Sequence, residues 1–397
     1  MHDPDGLDHP VFDAYNHYYE ALDACTRHLD PALGPRVIQW CEIGGRRYHV
    51  VGGRVSKAVT NPTFDPIAKA GAMYDYFRGN PEGRNPLEFL AEREPIRPEY
   101  RDPVARTAVL DEQGLAGCWL FPTLGMIYEE PLAHDPEAVC HLFTAFNRWL
   151  AEDWGFVHDE RIFTAPYLSL ADPRWAVDEL TWALDHGAHS IVMRPAAPTT
   201  ALGRRSPFDT MFDGFWQLVN DAGVAVVLHA GDGGVSSNGF AVDGFAADFT
   251  GGWKPSIKAF AIEQAIRDYL LTLVFDRHLD RFPNLRIASI ENGAEYLGDL
   301  FKKIRSTANK MPGYFPEDPV ATFREHVWIN PFWEDDVYEV VDLMGADRVL
   351  FGSDWPHIEG LPNPRDYVRE VKDLGADDRR RVLHDNVREL LVPHPTR

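Results

Sequence analysis

Eight short apolar runs, each followed by a turn and an amphipathic stretch, constrain the fold of this chain more than any other feature. The runs cover residues 11–17, 117–123, 162–170, 190–195, 224–231, 285–291, 327–331 and 348–354. Between them, stretches such as 135–153, 174–186, 209–222 and 292–308 carry apolar residues at helical spacing, most of them entered through Asp or Asn. Parallel strands joined by crossover helices produce this alternation. Eight repeats close more naturally as a barrel than as an open sheet, so the expected fold class is α/β, a single (β/α)8 TIM barrel over residues 1–397. A doubly wound open sheet is the structural rival.

The chain is longer than a bare barrel, and two insertions take up the excess. Residues 34–100 follow the first run and include a predicted hairpin over 37–51 that turns at Gly44-Gly45. Residues 232–256, after the fifth run, form a Gly-rich stretch expected to act as a lid. That stretch has neither the G-x-x-x-x-G-K-[ST] nor the G-x-G-x-x-G spacing, which excludes a nucleotide fingerprint.

A formal net charge of −22 excludes nucleic acid as a partner, because phosphate binding needs clustered Lys and Arg. The four cysteines, Cys25, Cys41, Cys118 and Cys140, form no C-x-x-C pair, so neither a zinc knuckle nor a disulfide framework is indicated. The first residues, MHDPDGLDHP, are acidic where a secretion signal is basic and then apolar, and no apolar run reaches ~18 residues. The expectation is a cytoplasmic protein without membrane contact.

Barrel chemistry sits at the carboxyl ends of the strands, so the polar residues ending each run are the informative ones. The first run ends in DAYNHYYE, with Asp13, Tyr15, Asn16, His17 and Glu20; the fourth ends at Arg194 and the fifth at His229. The sixth ends in Glu291 and Asn292, and the eighth in GSDWPH, with Asp354 and His357. Two imidazoles and several carboxylates on one rim would repel and desolvate one another unless a cation compensated. A divalent metal bound by His17, His229 and Asp354, with Glu291 close by, is the simplest compensation.

These residues resemble the amidohydrolase-related branch of the amidohydrolase superfamily, with GSDWPH the most specific signal. The resemblance implies ligation by His17, His229 and Asp354 in a hydrolase, hydratase or decarboxylase. Two positions depart from its pattern: Tyr15 stands where the branch carries the first ligand of strand one, and Glu291 where decarboxylases carry a catalytic His. The first ligand is therefore either absent or a Tyr15 phenolate, and Glu20, three residues beyond His17, is a candidate to turn back and replace it.

DAYNHYYE, NPTFDPIAKAG, RPEYRDPVAR to DEQGL, LFPTLG, and SIENG with GSDWPH further resemble a family of TIM-barrel non-haem dinuclear iron monooxygenases acting on CoA-linked substrates. A mixed imidazole and carboxylate set suits iron, and a carboxylate can bridge two ions. This resemblance implies two Fe ions held by His17, Glu20, His229, Glu291, Asp354 and His357, dioxygen as co-substrate, and Glu291, Tyr15 and Asn292 as catalytic residues. Trp333 and Trp355, with Tyr18, Tyr19 and Phe121, would line an apolar pocket, and Arg204 and Arg205, or Lys302 and Lys303, would hold the phosphates of an acyl-CoA. The alternative keeps one Zn or Mn ion, with Glu291 as general base and Arg194 orienting a substrate carboxylate. A non-catalytic binding barrel is the third reading. A homodimer is expected by resemblance.

Overall fold

The computed structural model describes residues 6–59, 61–234 and 260–396. Its centre is parallel: β1 (Phe12–His17), β2 (Gly117–Phe121), β3 (Ile162–Thr164), β4 (Ser190–Met193), β5 (Ala225–His229), β6 (Arg286–Ile290) and β7 (Val327–Ile329). Every residue of these seven strands is buried, as strands covered on both faces require. β1, β2 and β3 pair in that order, and β4 to β7 form a second sheet. Isolated parallel bridges join Tyr167 to Val192, Ile329 to Val349 and Asn16 to Trp355. The fold is thus mixed α/β.

Two of the runs are less regular than their composition suggests. In 162–170 the ladder stops at Thr164, because Pro166 has no N–H to offer, and pairing resumes only at Tyr167. The eighth run lies between β7 and β1 without forming a named strand. The Leu350 amide donates to Ile329 O at 2.8 Å, the Ala14 amide to Phe351 O at 2.9 Å and the Asp354 amide to Tyr15 O at 2.9 Å.

Around the strands run α1 (Pro103–Gln113), α2 (Pro136–Asp153), α3 (Pro173–Asp185), α4 (Asp213–Ala222), α5 (Ala261–Phe275), α6 (Leu297–Lys310), α7 (Pro319–His326) and α8 (Val337–Met344). Four of them start with an Asp-Pro step. Asp102, Asp135, Asp172 and Asp318 cap orphan amides while the proline occupies a position where no N–H is needed. The stretch read as helical from 292 enters its helix only at Leu297, since Gly293 at φ 67° breaks helical geometry.

The insertion after β1 holds three antiparallel strands, Ile38–Ile43, Arg46–Val51 and Arg54–Val55. The first two are joined by Gly44 and Gly45, both at positive φ as a tight hairpin turn demands. Farther on, Ile67–Ala68 pairs antiparallel with Arg93–Glu94. From residue 235 the Gly-rich stretch 232–256 lies outside the described residues. Among the described residues no helix is long and apolar enough to cross a membrane.

Candidate metal centre

The end of β1 is clamped before any functional side chain is placed. Asp13 accepts the Tyr15 and Ser353 amides through Oδ1 at 3.1 and 3.0 Å, and the Ser353 hydroxyl and Asn16 amide group through Oδ2 at 2.5 and 2.7 Å. Buried Arg106 donates to Asn16 Oδ1 at 2.6 Å and to His17 O at 2.7 Å. This network ties β1 to the 353–355 segment and fixes where His17 and Asp354 point.

His17 and His229 are set up as ligands. His17 Nδ1 lies 3.1 Å from Phe121 O and His229 Nδ1 2.8 Å from Ala230 O. A carbonyl can only accept, so each Nδ1 carries the proton and each Nε2 keeps its lone pair. Burial holds the His229 pKa down to about 3 and that of His17 well below its usual value, so both rings are neutral. The two Nε2 atoms are 3.4 Å apart, with Asp354 Oδ1 3.4 Å from that of His17. Two facing lone pairs beside a carboxylate repel unless a cation or proton lies among them.

His357 stacks on His17, with ring centroids 3.9 Å apart, and presents Nδ1 to Asp354 Oδ1 at 2.9 Å. Thr123 donates its hydroxyl to Tyr18 O at 2.8 Å, so it accepts from His357 Nε2 at 3.0 Å and leaves Nδ1 for the centre. Burial opposes the charged ring, yet Asp354, Glu359 and Glu291 outweigh it and raise the His357 pKa to about 9. Asp354 Oδ1 and His357 Nδ1 are close, but among the described residues neither has an aligned hydrogen bond. Metal coordination would satisfy both.

Glu291 and Asp354 both sit at φ 59°, a left-handed conformation costly for residues with a side chain. Each ends a buried apolar run, and their carboxylates belong to one donor group. Glu291 Oε2 is 3.3 Å from His229 Nδ1. Burial, then the neighbouring Asp354 charge, lifts the Glu291 pKa well above the carboxylate range. Tyr15 places its hydroxyl 3.2 Å from His17 Nε2. Burial, followed by Asp354 and Glu291, pushes its pKa well above the usual value, so in the absence of a cation it is a phenol rather than a phenolate.

Ligand atoms converge within 4.8 Å of one another in three overlapping groups: His17, Asp354 and His357; His17, His229 and Glu291; and Glu291, Asp354 and Glu359. Glu359 was not anticipated. It follows His357 by two residues in PHIEG, and that acidic residue just beyond the ligand motif was the available signal. Burial raises its pKa first and Asp354 second. The donor set fits a divalent cation, whose charge would relieve three crowded carboxylates.

Several expected residues are used elsewhere. Glu20 belongs to none of the three groups: its Oε1 accepts the Leu124 and Gly125 amides at 2.7 and 3.1 Å. Asn292 spends its amide N–H on Leu228 O and Ile290 O, both at 2.8 Å, holding β5 against β6. Arg194 is buried and donates to Glu130 at 2.6 Å and Glu129 at 3.3 Å, which leaves no fork for a substrate carboxylate. Arg204 is also on Glu130, at 2.7 Å, and Arg205 is exposed. Lys303 pairs with Asp299 on its own helix.

The two tryptophans are packed rather than presented. Trp333 stacks on Tyr74 at 4.8 Å and donates to Glu359 O at 2.9 Å, while Trp355 lies under the Arg106 guanidinium at 4.6 Å. Tyr18 is buried against Trp149 and Trp154, and Phe121 packs on the His229 ring. Tyr19 does line the cavity, which has a volume of about 240 Å³ and opens over His17, His229, Glu291, His357 and Glu359. The insertion supplies much of its lining, through Val59, Phe64, Ile67 and Leu90.

Strand ends that gather imidazoles and carboxylates around one point beneath an apolar cavity define a metal-dependent α/β enzyme. The profile of the amidohydrolase family matches residues 102–391, and the chain belongs to that family. It is similar to a structurally solved amidohydrolase from Mycobacterium avium subsp. paratuberculosis K-10, at 40% identity over 97% of this chain and 98% of that one, with a TM-score of 0.90. More remote are 2,6-dihydroxybenzoate decarboxylase from Rhizobium, 20% identical over 72% and 87% of the two chains (TM-score 0.57), and a dihydroxybenzoic acid decarboxylase from Polaromonas sp. JS666 with bound manganese. The latter is 19% identical over 81% and 93%, with a TM-score of 0.60. At these identities the decarboxylases show the fold alone. No curated protein matches the chain. These similarities do not support the dinuclear iron monooxygenases as its nearest relatives.

Proposed function

We propose that this protein is a metal-dependent hydrolase or decarboxylase whose centre is held by His17, His229, Asp354 and His357, with Glu291 as the proton-transferring group. The observation that carries the reading is the pair of Nε2 lone pairs 3.4 Å apart beside Asp354. The manganese bound by the Polaromonas decarboxylase makes Mn or Zn the favoured ion. The bridges from Ile329 to Val349, from Asn16 to Trp355 and from Tyr167 to Val192 support closure of the eight segments as one (β/α)8 barrel.

When bound, the ion supplies Lewis acidity at the substrate's polar group. The chain's own residues do the rest. Phe121 O and Ala230 O hold the imidazoles in the ligating tautomer, and Thr123 does so for His357. Apolar residues above the centre exclude water. Burial and the neighbouring Asp354 push the Glu291 carboxyl above the usual carboxylate range, which suits it to hold and pass on a proton. In decarboxylation the C–C bond to the carboxylate breaks, and the carbon left with the electron pair takes that proton. In hydrolysis the ionised Glu291 removes a proton from water and returns it to the leaving group.

A second reading, the dinuclear iron monooxygenase, is favoured by one observation: three overlapping donor groups exceed what one ion needs. Metal analysis of protein purified without added metal, then chelation and re-addition with assays of CO2 release, ester and amide hydrolysis and oxygen uptake, tests both. One equivalent of Mn or Zn with hydrolysis or CO2 release supports the first reading. Two equivalents of iron with oxygen uptake on an acyl-CoA support the second, and no metal retention defeats both.

A further inference from the structure

The cavity over the centre is lined in part by the insertion, whose mostly apolar contribution includes polar Asn61 and one fully charged residue. Ala58, Val59, Phe64, Ile67 and Leu90 are apolar, whereas Arg93 brings a permanent positive charge to the lining. Among the described lining residues no other Arg or Lys occurs. The backbone of Arg93 is fixed in the two-stranded ladder, paired with Ala68.

The surrounding cations are already engaged. Lys69 faces Glu92 at 3.7 Å, Arg97 pairs with Glu99 at 3.1 Å and Glu94 at 3.4 Å, and Arg101 donates to Thr63 O at 2.9 Å. The Arg93 guanidinium makes no hydrogen bond or ion pair within the described residues, in a chain whose formal charge is −22. An exposed guanidinium on the lining of an apolar cavity offers a planar fork to a carboxylate. Arg194, the residue whose type first suggested that task, is consumed by Glu129 and Glu130.

We propose that Arg93 is the substrate-anchoring residue. It binds a carboxylate at the end of an apolar substrate body remote from the metal donors, so that the enzyme selects organic acids over their neutral counterparts. The inference rests on the cavity above His17 and His229 being the active site. It goes further in naming an anionic group that does not itself meet the metal.

The test is calorimetric binding of 3-phenylpropionate, 4-phenylbutyrate and 5-phenylvalerate, each against its neutral amide, to manganese-loaded and metal-stripped protein, in the wild type and in Arg93→Met. Arg93 is exposed, so the substitution removes no core contact. The expected result is a preference for at least one acid over its amide of roughly tenfold or more, as loss of a charged hydrogen bond implies. That preference persists without metal and disappears in Arg93→Met. No preference in the wild type, or an undiminished preference in Arg93→Met, overturns the proposal. A preference lost on metal stripping but kept in Arg93→Met places the carboxylate at the metal; it overturns this inference and leaves the proposed function standing. Failure of the wild type to take up manganese defeats the proposed function instead, and is read on the same samples.

Discussion

His17 and His229 face each other through unprotonated Nε2 atoms 3.4 Å apart, each ring locked by a backbone carbonyl behind it. The carbonyls belong to Phe121 at the end of β2 and to Ala230 just beyond β5. The strand ends themselves therefore choose the tautomer, and the ligating geometry is built into the core rather than into mobile loops.

Glu291→Gln keeps the side chain's shape and removes its ability to carry a proton. The expected outcome is a turnover loss of roughly 10²–10⁴-fold with the thermal midpoint nearly unchanged. Steady-state kinetics alongside a melting curve check it; wild-type turnover would remove Glu291 from the chemistry.

Gly352 packs where the eighth segment passes β1. A Cβ there would lie 2.4 Å from the Tyr15 Cβ and 2.7 Å from Asn330 Nδ2, and neither neighbour can swing aside freely. Gly352→Ala should cost about 1–3 kcal/mol or more of stability. It should also weaken metal retention, because the segment carrying Asp354 must shift. Denaturant titration and metal analysis of the same preparation read both effects.

His278 is fully buried among Phe208, Trp216 and Phe282, with no partner for either ring nitrogen among the described residues. Burial lowers its pKa from 6.5 to about 3, with Arg281 adding to the shift. The unfolded chain therefore binds a proton that the folded one refuses between those values. Stability should fall as pH drops through that window, by about 1.4 kcal/mol per pH unit from this group. His278→Leu should flatten that part of the curve in denaturant titrations from pH 7 to pH 4. An unchanged slope would show that His278 is not its source.

The sequence exposed the parallel strand–helix alternation because fully buried strands must be apolar and each crossover needs an amphipathic helix. It also pointed to His17, His229 and Asp354, since a residue's place at a strand end largely determines where its Cα lies. Other assignments depended on partners distant in sequence. Glu20 meets the 124–125 amides and Arg194 meets Glu129 and Glu130, contacts that no local pattern reveals. Trp333 and Trp355 are apolar and aromatic whether they line a cavity or pack beneath one, so composition could not separate the two roles. Glu359 lies in an irregular turn after Pro356, where strand-end reasoning gives no direction for a side chain.

The most direct test is anomalous diffraction from crystals grown with manganese. A peak in contact with Nε2 of both His17 and His229 and with the Asp354 carboxylate is the predicted result. Ordered manganese elsewhere, with those three side chains sharing no common peak, would contradict the account.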